Sequence, residues 1–218
     1  MDDPIGRHPT RAEQLELLVG AIADVAKPGD KVLDIGCGTG YVASMLLERQ
    51  PALAITGVDL STESLEKASA HLPKTAFQAV QGDLSNVAEV DVGDDSFRFI
   101  YTCLTFHDLA DEQKQEVLAW SKARLSSDGI LFIYDRLRLT SASLFPVQQS
   151  IWKRIERVHG RGMRTADDFE GYLGDLGQGN NPATLASYVS WCDELGLDVA
   201  CVHVHGNVAL LAAAAPKA

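Results

Sequence analysis

The chain has 218 residues, of which 46% are hydrophobic and 22% charged, and its formal net charge is −11. This length fits one α/β domain, and the composition is that of a folded globular protein rather than a fibrous or disordered one. The acidic balance argues against nucleic acid as a partner, and no apolar run is long enough to span a membrane. Four cysteines without a C-x-x-C pair, and no apolar signal region at the start, predict a cytoplasmic location.

Strands and helices are predicted to alternate along most of the chain. A helical period of apolar residues comes first, at residues 11–26. Strands are then predicted at 31–35, 54–58, 76–80, 97–102 and 129–134, with helices between them at 41–49, 61–71 and 111–125. This alternation favours a parallel sheet with helices on both faces. Two further strands at 198–205 and 207–213 almost touch in sequence and predict a closing antiparallel hairpin.

Residues 137–182 do not share this alternation. We predict that they form a helical cap inserted into a single domain that comprises residues 1–218. Within the cap, Ile151, Ile155 and Val158 are spaced to share one face of a helix.

The most specific motif is Asp-Ile-Gly-Cys-Gly-Thr-Gly at residues 34–40, between the first strand and its helix. A strand, a tight glycine turn and a helix start place backbone N–H groups against a ligand. A dinucleotide-binding turn spaces its glycines differently, as G-x-G-x-x-G. Its third glycine would fall at position 41, where this chain has Tyr41. Asp34 would also repel a pyrophosphate, whereas it suits a cationic ligand.

This motif resembles the first motif of the class I S-adenosylmethionine-dependent methyltransferases. The resemblance covers about residues 31–135 and the terminal hairpin. It implies a Rossmann-like, seven-stranded, mostly parallel sheet in the order 3-2-1-4-5-7-6, with S-adenosylmethionine as cofactor and S-adenosylhomocysteine as product. The cofactor-binding residues that it implies are Asp34, Gly36, Gly38, Gly40, Asp59, Leu60, Asp83 and Leu84.

The resemblance also implies a role for each acidic residue. Asp34 is expected near the methionyl amino group. Asp59 is expected to accept hydrogen bonds from both ribose hydroxyls, since the two oxygens of a carboxylate suit a vicinal diol. Asp83 is expected to accept a hydrogen bond from the adenine amino group, and the main-chain N–H of Leu84 is expected to reach the adenine ring.

The catalytic candidate is His107, which follows the fourth strand. The Asn/Asp-Pro-Pro-Tyr/Phe motif, with which family members methylate amide or base nitrogens, is absent there. The stretch resembles that of small-molecule methyltransferases, which frequently place a histidine near the transferring methyl. Imidazole titrates near neutrality and could take the proton of a phenol or alcohol, although His107 could instead only cap the following helix.

A basic segment indicates the chemistry of the acceptor. Between Arg136 and Arg164 there are seven basic residues and one acidic residue, in a chain that is otherwise strongly acidic. Such a segment is either a solvated helix face or a site for an anionic acceptor. Arg136 and Arg157 are the candidate substrate-binding residues.

The sequence thus predicts a methyltransferase that acts on oxygen or nitrogen of a small, anionic molecule without a metal. It leaves the oligomeric state open, a homodimer included. Two alternatives stay open. One is a tRNA-modifying enzyme related to carboxy-S-adenosylmethionine synthases. Residues 182–185 and the helix predicted at 183–195 are loosely similar to that family. The other is a non-catalytic, S-adenosylmethionine-binding partner subunit.

Overall fold

The computed structural model describes residues 10–93, 96–159, 166–177 and 179–217. The strands are β1 Lys31–Ile35, β2 Ala54–Asp59, β3 Phe77–Gln81, β4 Phe97–Cys103, β5 Leu125–Arg136, β6 Asp198–His205 and β7 Val208–Ala214. The helices are α1 Arg11–Ala23, α2 Tyr41–Arg49, α3 Thr62–His71, α4 Asp111–Arg124, α5 Phe145–His159, α6 Phe169–Gly174 and α7 Leu185–Glu194. Short 3₁₀ helices span Leu84–Glu89, Phe106–Asp108 and Ala142–Leu144.

The seven strands form one sheet in the order β3-β2-β1-β4-β5-β7-β6. The pairs among the first five strands are parallel, and β7 is antiparallel to both β5 and β6. The predicted fold class is therefore confirmed, including the strand order and the terminal hairpin. Because the parallel strands all end at one edge, the loops that follow them meet there.

Two apolar cores cover the two faces of the sheet. Side chains alternate along each strand, so that in β1 Leu33 belongs to the core under α4 and α7, whereas Val32 belongs to the core under α1, α2 and α3. The central strands are buried on both sides, as expected of a parallel sheet between two helical layers.

The segment between β5 and α7 contains α5 and α6, which pack through a small aromatic core of their own. This segment falls within residues 137–182, and the division into one domain with an inserted cap stays a prediction. Arg161 and Arg164 of the basic segment lie outside the described residues.

The structure adds to the prediction for α5 and corrects the start of one strand. The buried side chains of α5 are Phe145, Trp152 and Ile155, whereas Ile151 and Val158 are 38% and 61% exposed. Of the three residues predicted to share a face, only Ile155 is buried, because the rings of Phe145 and Trp152 determine which side of the helix packs into the cap core. Strand β5 also begins four residues earlier than predicted, at Leu125, with an irregular register against β4 near its start.

No helix in the described part of the chain is both long and apolar enough to cross a membrane.

Candidate active site

The glycine turn connects β1 to α2 at the edge where the parallel strands end. Gly36, Gly38 and Gly40 all have positive φ angles, of 72°, 51° and 76°. The N–H groups of Gly36 and Cys37 both donate to the main-chain oxygen of Val58, at 2.8 and 2.9 Å, which ties the turn to the end of β2. The three glycines are needed because L-residues with side chains rarely adopt such angles.

The three glycines differ in what lies beside them. A Cβ on Gly36 would come within 2.2 Å of the Thr105 hydroxyl, and a Cβ on Gly40 within 2.7 Å of the Leu72 side chain. A Cβ on Gly38 would meet no atom within 4 Å in the described structure. Gly36 and Gly40 are thus required by packing, whereas Gly38 borders open space.

This difference predicts a stability effect that should distinguish two substitutions. Gly36→Ala should lower the free energy of unfolding by about 2–4 kcal/mol, since it adds both a clash with Thr105 and backbone strain. Gly38→Ala adds only the strain, and should cost about 1–2 kcal/mol. Urea denaturation of the two variants and the wild type measures this, and equal losses would contradict the packing argument.

Asp34 is the last but one residue of β1 and is 1% exposed. One of its oxygens accepts a hydrogen bond from the Tyr101 hydroxyl at 2.6 Å. Burial is the main cause that raises the pKa of Asp34 from 3.8 to about 7; the Tyr101 hydrogen bond opposes this and the charge of Asp59 adds to it. A cationic ligand at this position would stabilise the ionised form, because it would supply the charge that the buried site lacks.

Asp59, at the end of β2, holds the turn and the start of α3 together. Its Oδ2 accepts from the Gly38 N–H at 2.8 Å, and its Oδ1 accepts from the Ser61 N–H at 2.9 Å. Each carboxylate oxygen has a second lone pair, so both can accept one more hydrogen bond. The next residue, Leu60, is 63% exposed.

Asp83 and Leu84 lie beyond β3, beside Asp59. The Gly82 N–H donates to the main-chain oxygen of Asp59 at 3.0 Å. Asp83 accepts from the Ser85 N–H at 2.8 Å, and hydrogen bonds from Ser85 keep the pKa of its carboxyl below the usual value. The Leu84 side chain is buried in the core. The structure thus brings the predicted cofactor-binding residues to one edge of the sheet, where the roles assigned to them stay predictions.

The loop after β4 contacts the glycine turn. Leu104 has a φ of 56°, a strained angle for a residue with a side chain, and its N–H donates to the Tyr134 oxygen at 2.8 Å. The Thr105 hydroxyl lies 3.4 Å from the Gly36 oxygen. Thr105 thus contacts the glycine turn, and His107 follows two residues later in the same loop.

His107 is paired with a carboxylate that the sequence interpretation did not assign to it. Its Nδ1 lies 2.6 Å from Asp135 Oδ1, and its main-chain N–H donates to Asp135 Oδ2 at 2.8 Å. Because the carboxylate can only accept, Nδ1 carries the proton and Nε2 is the basic nitrogen of a neutral ring. Nε2 lies 3.6 Å from Asp108, beyond hydrogen-bond distance.

The Asp135 side chain is buried, and only tertiary structure brings it to His107. A signal was nevertheless present in the sequence: β4 and β5 were both predicted as parallel strands, and Asp135 ends one of them while His107 follows the other. Residues at the carboxyl ends of adjacent parallel strands meet at the same edge.

A cavity of about 710 Å³ opens beside His107. Its lining includes Arg11 and Arg136 as cations, Asp108 and Asp175 as acidic residues, and Trp152 and Tyr172 as aromatic walls. This volume is in the range of small-molecule sites. Arg136 thus lies on the same cavity as His107, whereas the structure does not place Arg157 there: this side chain is exposed on α5 and is not among the described lining residues.

The described residues contain no group of three or more His, Cys, Asp or Glu side chains that could hold a metal ion. The site described above therefore consists of a glycine turn, three acidic residues and a histidine–carboxylate pair beside a cavity.

Comparison with known proteins identifies the family to which this site belongs. A family model described as "Methyltransferase domain" matches residues 32–129. An uncharacterized methyltransferase from Bacillus licheniformis is 28% identical over 171 residues, which cover 78% of this chain and 74% of that protein. Trans-aconitate 2-methyltransferase from Deinococcus radiodurans is 28% identical over 144 residues, 62% of this chain and 52% of that protein. The match thus spans about half the length of this second relative.

Solved structures agree with this comparison at the level of the fold. Magnesium protoporphyrin IX methyltransferase from Synechocystis, solved with bound S-adenosylhomocysteine, superposes with a TM-score of 0.65. The superposition covers 99% of this chain and 90% of that one at 14% sequence identity. Together with the family model and the glycine turn, these findings show that residues 32–129 form a methyltransferase domain with the fold of the class I S-adenosylmethionine-dependent methyltransferases.

Proposed function

We propose that the protein transfers the methyl group of S-adenosylmethionine to an oxygen or nitrogen atom of a small, anionic molecule held in the cavity beside His107. The observation that carries this proposal is the His107–Asp135 pair. His107 lines the cavity and belongs to the loop whose Thr105 contacts the glycine turn, so its basic nitrogen would face the place where cofactor and acceptor meet.

In this proposal the cofactor lies across the edge of the sheet at the ends of β1, β2 and β3. Gly36, Gly38 and Gly40 frame it, with the open side of Gly38 toward it. Asp34 receives the methionyl amino group. The ribose hydroxyls donate to the remaining lone pairs of Asp59, near Leu60, and the adenine lies at Asp83 and Leu84.

Methyl transfer is an in-line displacement at the sulfonium carbon, in which the acceptor atom forms a bond to the methyl group while the carbon–sulfur bond breaks. The protein contributes mainly by aligning the two reactants. An alcohol or phenol must also lose its proton. His107 Nε2 takes it, and Asp135 stabilises the imidazolium that forms because it accepts from Nδ1.

An anionic acceptor is supported by two observations. Arg136 borders the same cavity as His107, at the end of β5, and a guanidinium binds carboxylate and phosphate groups through paired hydrogen bonds. The relative named for trans-aconitate acts, by its name, on a carboxylate anion.

The role of Arg136 predicts a difference between two arginines. Arg136→Gln should raise the KM of an anionic acceptor about 10-fold or more, since one charge-assisted hydrogen bond contributes about 1.5–3 kcal/mol. Arg157→Gln is the matched control, because that side chain is exposed and is not part of the described cavity lining. Initial rates at varied acceptor concentration measure this, and an unchanged KM for Arg136→Gln would contradict an anion site at this residue.

The raised pKa of Asp34 predicts that cofactor binding depends on pH. In the folded protein the Asp34 carboxyl keeps its proton up to about pH 7, whereas in the unfolded chain it loses the proton near pH 3.8. The contribution of Asp34 to the stability of the ligand-free protein therefore decreases as pH rises from about 4 to 7. A cationic amino group binds the ionised form, so affinity for S-adenosylhomocysteine should rise on the order of 10-fold from pH 5.5 to 7.

Calorimetric titration at both pH values tests this expectation, and Asp34→Asn should bind more weakly with little dependence on pH. A wild-type affinity that is the same at both pH values would contradict the assignment of Asp34 to the amino group.

The experiment that tests the function measures S-adenosylhomocysteine formed from S-adenosylmethionine in the presence of candidate acceptors. The panel pairs hydroxybenzoates and aliphatic polycarboxylates with neutral phenols and amines of similar size. Turnover with an anionic compound, and little with its neutral counterpart, supports the proposal. Turnover with neutral acceptors alone contradicts the anionic class, and absence of turnover with every compound, although the cofactor binds, contradicts small-molecule methylation.

A further inference from the structure

A lysine in the first turn of α4 is completely buried. Lys114 is 0% exposed, although a cation at a helix N-terminus faces the positive end of the helix dipole. Its ammonium group donates to three oxygens: the main-chain oxygen of Leu109 at 2.8 Å, the carboxylate of Asp111 at 2.7 Å and the main-chain oxygen of Asn181 at 2.6 Å. These three acceptors satisfy all of its donors, which is what allows the charge to be buried.

The same ammonium is connected to the backbone of His107. The Asn181 N–H donates to the main-chain oxygen of His107 at 2.5 Å, and the Leu109 N–H donates to the Phe106 oxygen at 3.0 Å. Lys114 therefore holds the loop after β4 directly at Leu109, and through Asn181 it holds His107 itself. Pro182, which follows Asn181, lines the cavity together with His107.

These contacts lie on the acceptor side of the loop after β4, whereas the contact of that loop with the glycine turn is made by Thr105. None of the three oxygens bound by Lys114 belongs to the glycine turn, to β2 or to β3. Loss of the ammonium should thus disturb the acceptor side of the site and spare the cofactor side.

We infer that Lys114 is a positioning residue for His107: it fixes the loop after β4 against residue 181, so that the imidazole stays aligned with Asp135 and faces the acceptor cavity. This inference rests on the proposed role of His107 as the base. It assigns to a buried charge a function that no local sequence pattern indicates.

The test follows the proton that His107 shares with Asp135. Hydrogen bonding to a carboxylate shifts this Nδ1 proton to low field in the proton NMR spectrum, and its absence from His107→Gln assigns it. Lys114→Met keeps the length of the side chain and removes the ammonium; the matched control is Lys122→Met, an exposed lysine on the same helix. Exchange of the His107 proton with solvent should be at least 10-fold faster in Lys114→Met and unchanged in the control. The Kd for S-adenosylhomocysteine should stay within twofold of the wild-type value.

Wild-type exchange of this proton in a folded Lys114→Met variant would overturn the inference, and so would an equal loss of cofactor affinity, which indicates general damage. If Lys114→Met does not fold, Asp111→Asn is the second variant, since it removes one charge at a half-exposed position. Exchange of the His107 Nδ1 proton should then be at least threefold faster than in the wild type. An unchanged rate would overturn the inference. Failure of the wild type to bind S-adenosylhomocysteine would instead contradict the proposed function and leave the exchange result intact.

Discussion

Asp59→Ala should abolish measurable binding of S-adenosylmethionine and S-adenosylhomocysteine. The substitution removes two charged acceptors for the ribose hydroxyls, each of which contributes about 1.5–3 kcal/mol, so that Kd should rise at least 100-fold. It also removes the bond that holds the Gly38 N–H at 2.8 Å, which loosens the turn around the cofactor. Isothermal titration calorimetry with both ligands, at a fixed pH, measures the effect.

Asp30→Ala serves as the control for this experiment. Asp30 also accepts a main-chain N–H, from Lys27 at 2.8 Å, but it lies before β1 and away from the glycine turn. It should lose a comparable hydrogen bond and retain wild-type affinity. Micromolar binding by a folded Asp59→Ala variant would show that the ribose is held elsewhere and would contradict the cofactor arrangement proposed above.

His107→Ala should lower kcat about 10²- to 10⁴-fold for an acceptor that reacts through a hydroxyl group, because general base catalysis contributes roughly this factor. The remaining rate should rise with pH, since hydroxide must then remove the proton. Asp135→Asn should also lower kcat, because an amide that donates toward Nδ1 favours the ring tautomer in which Nε2 carries the proton. Rates from pH 6 to 9, with saturating cofactor, measure both variants.

A carboxylate acceptor provides an internal control in this experiment. It is already ionised and needs no base, so its rate should be little affected in His107→Ala. A rate within a few-fold of wild type for hydroxyl acceptors at every pH would contradict the role of His107 as a base. The cofactor affinity of both variants, measured separately, shows whether a lower rate comes from the chemical step.

The local features of the fold could be predicted from the sequence, and the reason is that they depend on neighbouring residues. Alternating apolar runs and helical periods gave the strands and helices to within a few residues, and the short separation of the last two predicted strands indicated the hairpin. Helix α3 begins at Thr62, one residue after the predicted start, and the Ser61 hydroxyl caps it by accepting from the Ser64 N–H. The glycine turn was recognisable because three positive φ angles in five residues leave few choices other than glycine.

The buried face of α5 could not be predicted from the spacing of its apolar residues. Spacing alone placed Ile151, Ile155 and Val158 on one face, and that periodicity is real. The choice of the face that becomes buried was made by Phe145, whose ring contacts the aromatic residues of α6, and by Trp152, whose ring packs edge-on against Phe145. A helical period describes which residues share a face, but the partner surface decides which face is covered.

The sequence by itself determined the methyltransferase fold, and it predicted the cofactor edge of the sheet and the candidate base, because each of these depends on a short motif at the end of a strand. Only the tertiary structure decided that Asp135 pairs with His107, that Arg136 and not Arg157 borders the cavity, and that Lys114 is buried among three oxygens. These contacts join residues 28 and 67 positions apart in sequence. Their partners are fixed by strand order and by the path of the chain after β5, which local patterns do not encode.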